Sequence, residues 1–300
     1  MRLPRALGAP ALSLVSLYAR LSPVQKGKWR LYSAAAPLIP TGGSTVRTAA
    51  GRRFSLSFPR DRGWEVIYFG GTYERGTTHL VERVVRPGDV ALDIGANIGW
   101  YTVLLGARVG AGVVHAFEPV PPIFEELREN CRLNDVQDRV RLNNLALGEH
   151  PGTVDLHTFA GSPHGHSSQS TLGRDDYTAF RTPVVRLDDY LEESGTESPA
   201  FIKMDVEGAE MNVLRGAERL LSSQRPPMWV LEMNRESAGH FGHAPEDLLT
   251  HLQRFGEHRF FRVVRAWGRT LRMRSVTDYE HGDNVLCVPA ARLDRVAGLG

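Results

Sequence analysis

Two short stretches of this 300-residue chain carry side chains whose types and spacing could do chemistry. The first runs Asp93-Ile94-Gly95-Ala96-Asn97-Ile98-Gly99, an acid leading into a glycine-rich turn, with Glu118 following 19 residues after Gly99. Gly95 and Gly99 leave room for a ligand against the backbone, and Asn97 tolerates a left-handed turn conformation. An acid about 20 residues beyond such a turn, at the end of the next strand, can accept hydrogen bonds from both hydroxyls of a ribose. The implied ligand contains a nucleoside. Its candidate contacts are Asp93, Gly95, Ala96, Asn97, Gly99 and Glu118, with Pro119, Asn144, Ala146 and Asp205 as further positions. The second stretch, from Lys203 to Glu210, places three carboxylates within six residues: Asp205, Glu207 and Glu210.

The type of nucleoside cofactor follows from charge. A dinucleotide needs close backbone approach to a pyrophosphate, hence G-x-G-x-x-G. Here the pattern is D-x-G-x-N-x-G, and Asp93 would repel a pyrophosphate. It suits S-adenosylmethionine, which carries an amino group and a sulfonium and no phosphate. The rival on the same kind of sheet is a nicotinamide-dependent oxidoreductase. Methyl transfer requires chiefly that acceptor, methyl and sulfur be aligned, and a hydroxyl acceptor must also lose a proton. Asp205 is the candidate for positioning the acceptor or the sulfonium end, and Glu207 or Glu210 for orienting or deprotonating the hydroxyl. Glu232 could face the same cleft. Glu210, in a first helical turn, also complements the helix dipole. Lys203 needs an ion-pair partner to sit in an apolar strand, and period-2 alternation puts it on the side of Asp205. The histidines His157, His164, His166, His240 and His243 read as solvated loop residues, and the first three are second-choice bases. No metal site is expected, since a Gly-Ser loop does not fix ligands.

Short apolar runs alternate with helical patterns, which means an α/β fold with a mostly parallel sheet covered on both faces. Strands are expected at 89–94, 112–117, 140–147, 153–159, 201–206 and 228–233. Helices are expected at 100–109, 121–133, 209–221 and 245–255. Two late strands, 260–267 and 284–288, have no long helix between them and predict an antiparallel edge pair. Residues 160–181 lack periodicity and read as a long loop, placed in the acceptor pocket because idle connections are shorter. Ahead of the sheet, residues 3–21 suit an amphipathic cap helix through Leu12, Val15, Leu17 and Leu21, with a surface or membrane-contacting helix or a signal peptide as alternatives. Residues 34–44 read as a linker, and 46–69 as one or two β-hairpins. The expected division is an N-terminal cap, 1–75, and a catalytic domain, 76–300.

These residues together resemble a known family. The run Asp89–Gly99, Phe117-Glu118-Pro119, Asn130 with Asn134, Ala146-Leu147-Gly148, Leu187-Asp188-Asp189-Tyr190 and, above all, Ile202–Glu210 (I-K-M-D-V-E-G-A-E) are similar to the FkbM-type S-adenosylmethionine-dependent methyltransferases. The resemblance spans about residues 75–290. It implies a seven-stranded class I methyltransferase (Rossmann-like) sheet and O-methylation of a small metabolite, a sugar or polyketide-type hydroxyl in secondary-metabolite biosynthesis.

Composition sets the outer bounds. With 42% hydrophobic and 23% charged residues the chain is that of an ordinary globular protein. Two cysteines, Cys131 and Cys287, form no disulfide framework, so a reduced cytoplasmic setting is expected. The net charge of +2 hides an asymmetry: residues 1–60 hold ten Arg or Lys and no acid, leaving 26 basic against 34 acidic side chains in the rest. The acidic body argues against nucleic acid as a partner, and no apolar run is long enough for membrane insertion. A non-enzymatic alternative is a membrane-surface or partner-binding protein led by residues 1–60. A homodimer is compatible with all of this.

Overall fold

A computed structural model describes residues 5–22, 24, 27–58, 63–159, 167–168, 175–196, 198–267, 270–276 and 283–299. They fall into two compact units. One runs through Tyr73 and takes in 158–159 and 175–178; the other holds the remainder from Glu74 onward.

The first unit opens with α1 (Arg5–Leu21) and α2 (Lys28–Ala35). The last carbonyls of a helix lack partners within it, and Lys28 supplies one: its buried ammonium donates to the carbonyls of Ala19 at 2.7 Å and Ser22 at 2.9 Å. Arg20 donates to the carbonyls of Phe69 (3.3 Å) and Arg47 (3.1 Å). The amphipathic expectation for α1 is corrected in its facing: Leu12 is buried, whereas Leu17 and Leu21 are exposed. One hairpin forms, β1 (Gly42–Arg47) with β2 (Arg53–Phe58). Residues 65–70, read with the hairpins, are instead the helix α3 (Glu65–Gly70). Glu65 accepts the Gly63 N–H at its start, and Gly71, at φ 63°, ends it. The stretch read as a linker is ordered, with Ala35 and Ile39 in the core of this unit.

The second unit begins with α4 (Arg75–Val84), a helix no sequence signal announced. There follow β3 (Val90–Ile94), α5 (Trp100–Arg108), β4 (Val113–Phe117), α6 (Pro121–Leu133) and β5 (Val140–Asn143). The expected single strand 140–147 divides here, since β6 (Ala146–Leu147) leaves the main sheet for a second one. That sheet also holds β7 (Gly152–Phe159), β8 (Ser167–Ser168) and β9 (Tyr177–Val185), in the order β6-β9-β7-β8. The end of the expected loop is therefore strand from Tyr177. It was illegible because, of 177–182, only Thr182 is buried.

The main series resumes with α7 (Leu187–Glu193), β10 (Phe201–Met204), α8 (Glu210–Arg215) and α9 (Glu218–Leu221). The one helix expected over 209–221 breaks at Gly216, where a Cβ would lie 2.2 Å from the Gly148 carbonyl. The buried Asp188 then starts α9, accepting the N–H groups of Arg219 (2.8 Å) and Leu220 (3.0 Å). Last come β11 (Met228–Met233), α10 (Arg235–His240), α11 (Pro245–Gln253), β12 (His258–Trp267), β13 (Thr270–Ser275) and β14 (Asp283–Pro289).

Among the described residues the main sheet has eight strands in the order β13-β12-β14-β11-β10-β3-β4-β5, one more than the seven expected. Its body, β5 to β11, is parallel, and β14 lies antiparallel between β11 and β12. A parallel body must be apolar on both faces. Accordingly Leu92, Ile94, Phe117, Ile202, Met204, Trp229 and Leu231 are all buried, joined by Leu214, Leu221 and Leu252 from the helices. The chain runs outward from β3 to β4 and β5, then outward the other way from β10 to β11. The order thus reverses between β3 and β10, where ligands bind in open α/β sheets.

Candidate active site

The residues following β3 and β10 meet at this reversal. Asp205 N–H donates to the Ile94 carbonyl at 2.9 Å, extending the β3–β10 ladder by one step. Gly95 follows at φ 77°, and a Cβ there would lie 1.8 Å from the Asp205 carbonyl oxygen. No other residue type fits. Gly95 and Ala96 both donate to the Phe117 carbonyl (3.0 and 2.9 Å), and Asn97 adopts φ 51° as its type allows. Asn130 on α6 donates to the Ile98 carbonyl at 2.8 Å, and Gly99 lets α6 approach, since its Cβ would meet Leu127 at 2.6 Å.

Glu118 is held by the turn it would serve. One carboxyl oxygen accepts the Asn97 N–H and the other the Val120 N–H, each at 2.9 Å. Each oxygen keeps a second lone pair, the requirement for accepting two ribose hydroxyls. Burial raises Glu118 to about 7. Asp93, 2% exposed, accepts the Thr102 hydroxyl at 2.5 Å, and burial raises it to about 6. Asn144 donates to the carbonyls of Glu118 (2.8 Å) and Pro119 (3.1 Å), so its amide positions this backbone. Thr182 donates to the same Pro119 carbonyl at 3.0 Å. Ala146 lies in the second sheet, paired with Val184.

Beside this turn sits a charge cluster built around the buried Lys203. Lys203, 1% exposed, places its ammonium 3.4 Å from an Asp205 carboxyl oxygen and 5.5 Å from the centre of the Tyr101 ring. Burial alone would lower its pKa, but the carboxyls of Asp205, Glu74, Glu232 and Asp93 outweigh burial and raise it. Glu232, near the end of β11, is raised by burial and by Asp205, to which it hydrogen-bonds. Glu74 accepts the Tyr101 hydroxyl at 2.6 Å and the Asn284 side-chain amide at 3.1 Å.

The three sequence-chosen acids divide. Asp205 stays at the sheet edge with its side chain 27% exposed. Glu207, at φ 54°, is half-buried and accepts the Ser237 hydroxyl at 3.4 Å. Glu210 turns inward and accepts the N–H groups of Val206 (3.2 Å) and Gly208 (3.3 Å), so it clamps the loop. His243 binds the Gly208 carbonyl at 3.0 Å, His240 is exposed, and His157 is half-buried in β7. His164 and His166 lie outside the described residues. Thr102, Tyr101, Glu74 and Asn284 were missed. Only Thr102, one helical turn past Gly99, stood within reach of a sequence argument.

The reversal point, the glycine turn and the paired acid define a class I S-adenosylmethionine-dependent methyltransferase. The methyltransferase FkbM domain model matches residues 93–259, and the chain belongs to that family. The 31-O-demethyl-FK506 methyltransferase FkbM of Streptomyces tacrolimicus is 32% identical over 205 residues, 60% of this chain and 74% of that one. The 2-O-methyltransferase NoeI of Sinorhizobium fredii is 30% identical, over 49% of this chain and 64% of that one. The hexuronic acid methyltransferase AglP of Haloferax volcanii is 27% identical, over 50% and 59%. The chain thus spans under two thirds of the latter two. The nicotinamide and non-enzymatic alternatives fall with this membership. The donor set fits the cofactor, with carboxylates for hydroxyl and ammonium groups and no nest of phosphate-binding amides required. No helix among the described residues is long and apolar enough to cross a membrane.

Proposed function

We propose that this enzyme transfers a methyl group to a hydroxyl of a small metabolite, a sugar or polyketide-type alcohol. The observation that carries the reading is the Asp205–Glu232 carboxyl pair, set over the Lys203 ammonium where β3 and β10 diverge. An alcohol is too weak a nucleophile to attack unaided, and a fixed carboxyl can take its proton as the new bond forms. The names of the three relatives, two of which specify O-methylation and the third a hexuronic acid, point the same way.

Glu118, Asp93 and the Asp93–Gly99 turn would hold S-adenosylmethionine, which when bound supplies an electrophilic methyl on sulfonium. Asp205 orients the acceptor hydroxyl and takes its proton. Lys203 fixes Asp205 from below, and Glu232, protonated, donates to it and keeps the pair from mutual repulsion. Glu207 lines the acceptor side, and Glu210 sets the loop that presents both. Asp205 and Glu207 are the proposed catalytic residues, and Glu210 is a positioning residue. The 1–75 segment is proposed as the portion that distinguishes acceptors.

The test is transfer of labelled methyl from S-adenosylmethionine to a panel of hydroxylated metabolites, with amine and thiol analogues alongside. Products should carry an O-methyl ether, and Asp205→Asn should form them ~10²–10⁴-fold more slowly while cofactor binding persists. Methylation confined to nitrogen, sulfur or carbon acceptors would overturn the reading.

A further inference from the structure

Helix α1 presents its apolar residues the wrong way for a helix whose only role is packing. Its inner side, with Leu12 and Ala19, is buried, yet Leu14, Leu17, Tyr18 and Leu21 are 67%, 56%, 48% and 73% exposed. The spacing i, i+3, i+4, i+7 places those four on one continuous stripe. Val24, between α1 and α2, and Trp29, in the first turn of α2, are 55% and 65% exposed, with the Arg30 guanidinium 5.6 Å from the Trp29 ring centre. Single exposed leucines are ordinary, but a stripe of large apolar side chains marks an interaction surface. The helix cannot roll to bury it without breaking the Lys28 bonds to Ala19 and Ser22 and the Arg20 bonds to Phe69 and Arg47.

The charge of this segment selects the occupant. Residues 1–60 hold ten basic side chains and no acid, and among the described residues the Arg30 guanidinium stands beside the exposed Trp29. A second copy docking through this face would bring like charge onto like charge. A bilayer surface containing anionic phospholipid supplies both negative headgroups and an apolar layer beneath them, the pairing that in-plane amphipathic helices use. Among the described residues no helix is long and apolar enough to span a bilayer, and α1 carries Pro10 within it.

We propose that the outward stripe of α1 docks this enzyme on anionic phospholipid membranes as a peripheral, in-plane helix. The proposal is independent of the acceptor reading above. It is tested by co-sedimentation of the full-length protein with phosphatidylcholine vesicles and with vesicles holding about one third phosphatidylserine. Binding should be at least tenfold stronger to the anionic vesicles. Leu17→Glu/Leu21→Glu should lose it about tenfold or more, and Arg30→Glu should weaken it severalfold. Both variants alter exposed side chains, and unchanged S-adenosylmethionine affinity would confirm that they fold. Equal binding to neutral vesicles, or wild-type binding by the leucine variant, overturns the proposal. So does light scattering that shows a dimer which the leucine variant dissociates, because the stripe would then serve a second copy.

Discussion

Glu118, buried, and Glu232, half-buried, are both carboxyls raised by desolvation, yet their surroundings give them opposite tasks. Glu118 accepts backbone N–H groups on both oxygens, an arrangement that serves the ionised form. Glu118→Ala should weaken S-adenosylmethionine binding by about 1–3 kcal/mol through lost charge-assisted hydrogen bonds, read by calorimetry. An unchanged affinity would remove Glu118 from the ribose site. Glu232 instead is pushed up to about 9 by burial and by the neighbouring Asp205, and in the proposed arrangement it holds its proton and donates to Asp205. Glu232→Gln keeps a donor there, so kcat at neutral pH should stay within severalfold of wild type. The alkaline limb of the pH–kcat profile should move up or vanish, because glutamine cannot ionise. Asp205→Asn should instead cost ~10²–10⁴-fold in kcat, the ordinary contribution of a proton acceptor. If Glu232→Gln loses as much as Asp205→Asn at neutral pH, Glu232 is itself the acceptor and the two roles exchange.

At the scale of elements, the ends of β3 and β10 are locked by a contact that leaves no room for a side chain. Gly95→Ala would drive a Cβ to 1.8 Å from the Asp205 carbonyl at φ 77°, and backbone cannot swing aside as a side chain can. Unfolding in denaturant should show a loss above about 2 kcal/mol, with cofactor binding lost as well. Asp188→Ala separates the two effects. It uncaps α9 and should cost roughly 1–2 kcal/mol while cofactor affinity stays unchanged; lost affinity would show that α9 reaches the site. Asp188 also marks where the sequence was legible and where it was not. The L-D-D-Y run belongs to the family pattern visible in the sequence, but its role as a cap on α9, some thirty positions on, depends on the fold. The strands of the parallel body were readable because burial on both faces makes them plain apolar runs. The glycine turn and Glu118 were readable because backbone conformation and ligand chemistry restrict residue type. The helix break at Gly216 was hidden, since the carbonyl that demands it belongs to Gly148. Glu210 looked chemical from its spacing, but side-chain direction, which spacing does not encode, turns it to the loop's own amides.

For the molecule as a whole, the buried groups set a dependence of stability on pH that the bound cofactor should reverse. Asp93 and Glu118 lie near 6 and 7 when folded, against ordinary values of 3.8 and 4.5, and burial is the first cause of both shifts. Each group raised in this way contributes stability that is complete below its unfolded pKa and lost as pH climbs through the folded one, by about 3 kcal/mol each. His115 opposes them over part of the range. Burial lowers it from 6.5 to about 4, so its contribution is present above 6.5 and lost as pH falls toward 4. Between pH 4 and 6.5 the acids and the histidine therefore partly cancel. Above 6.5 the histidine no longer changes, while Glu118 and Glu232, the latter raised to about 9 chiefly by burial, remain in titration. The Tm of the cofactor-free protein should fall as pH rises from 6.5 to 8, and Glu118→Gln should lessen that fall, leaving the part that belongs to Glu232. The ribose hydroxyls prefer the ionised carboxylate, so S-adenosylmethionine affinity should rise over the same interval, and the Tm increase it produces should grow with it. A cofactor-induced Tm increase that is constant from pH 6 to 8 would mean that Glu118 keeps one protonation state throughout, and that the acid at the end of β4 is a structural group rather than the cofactor's partner.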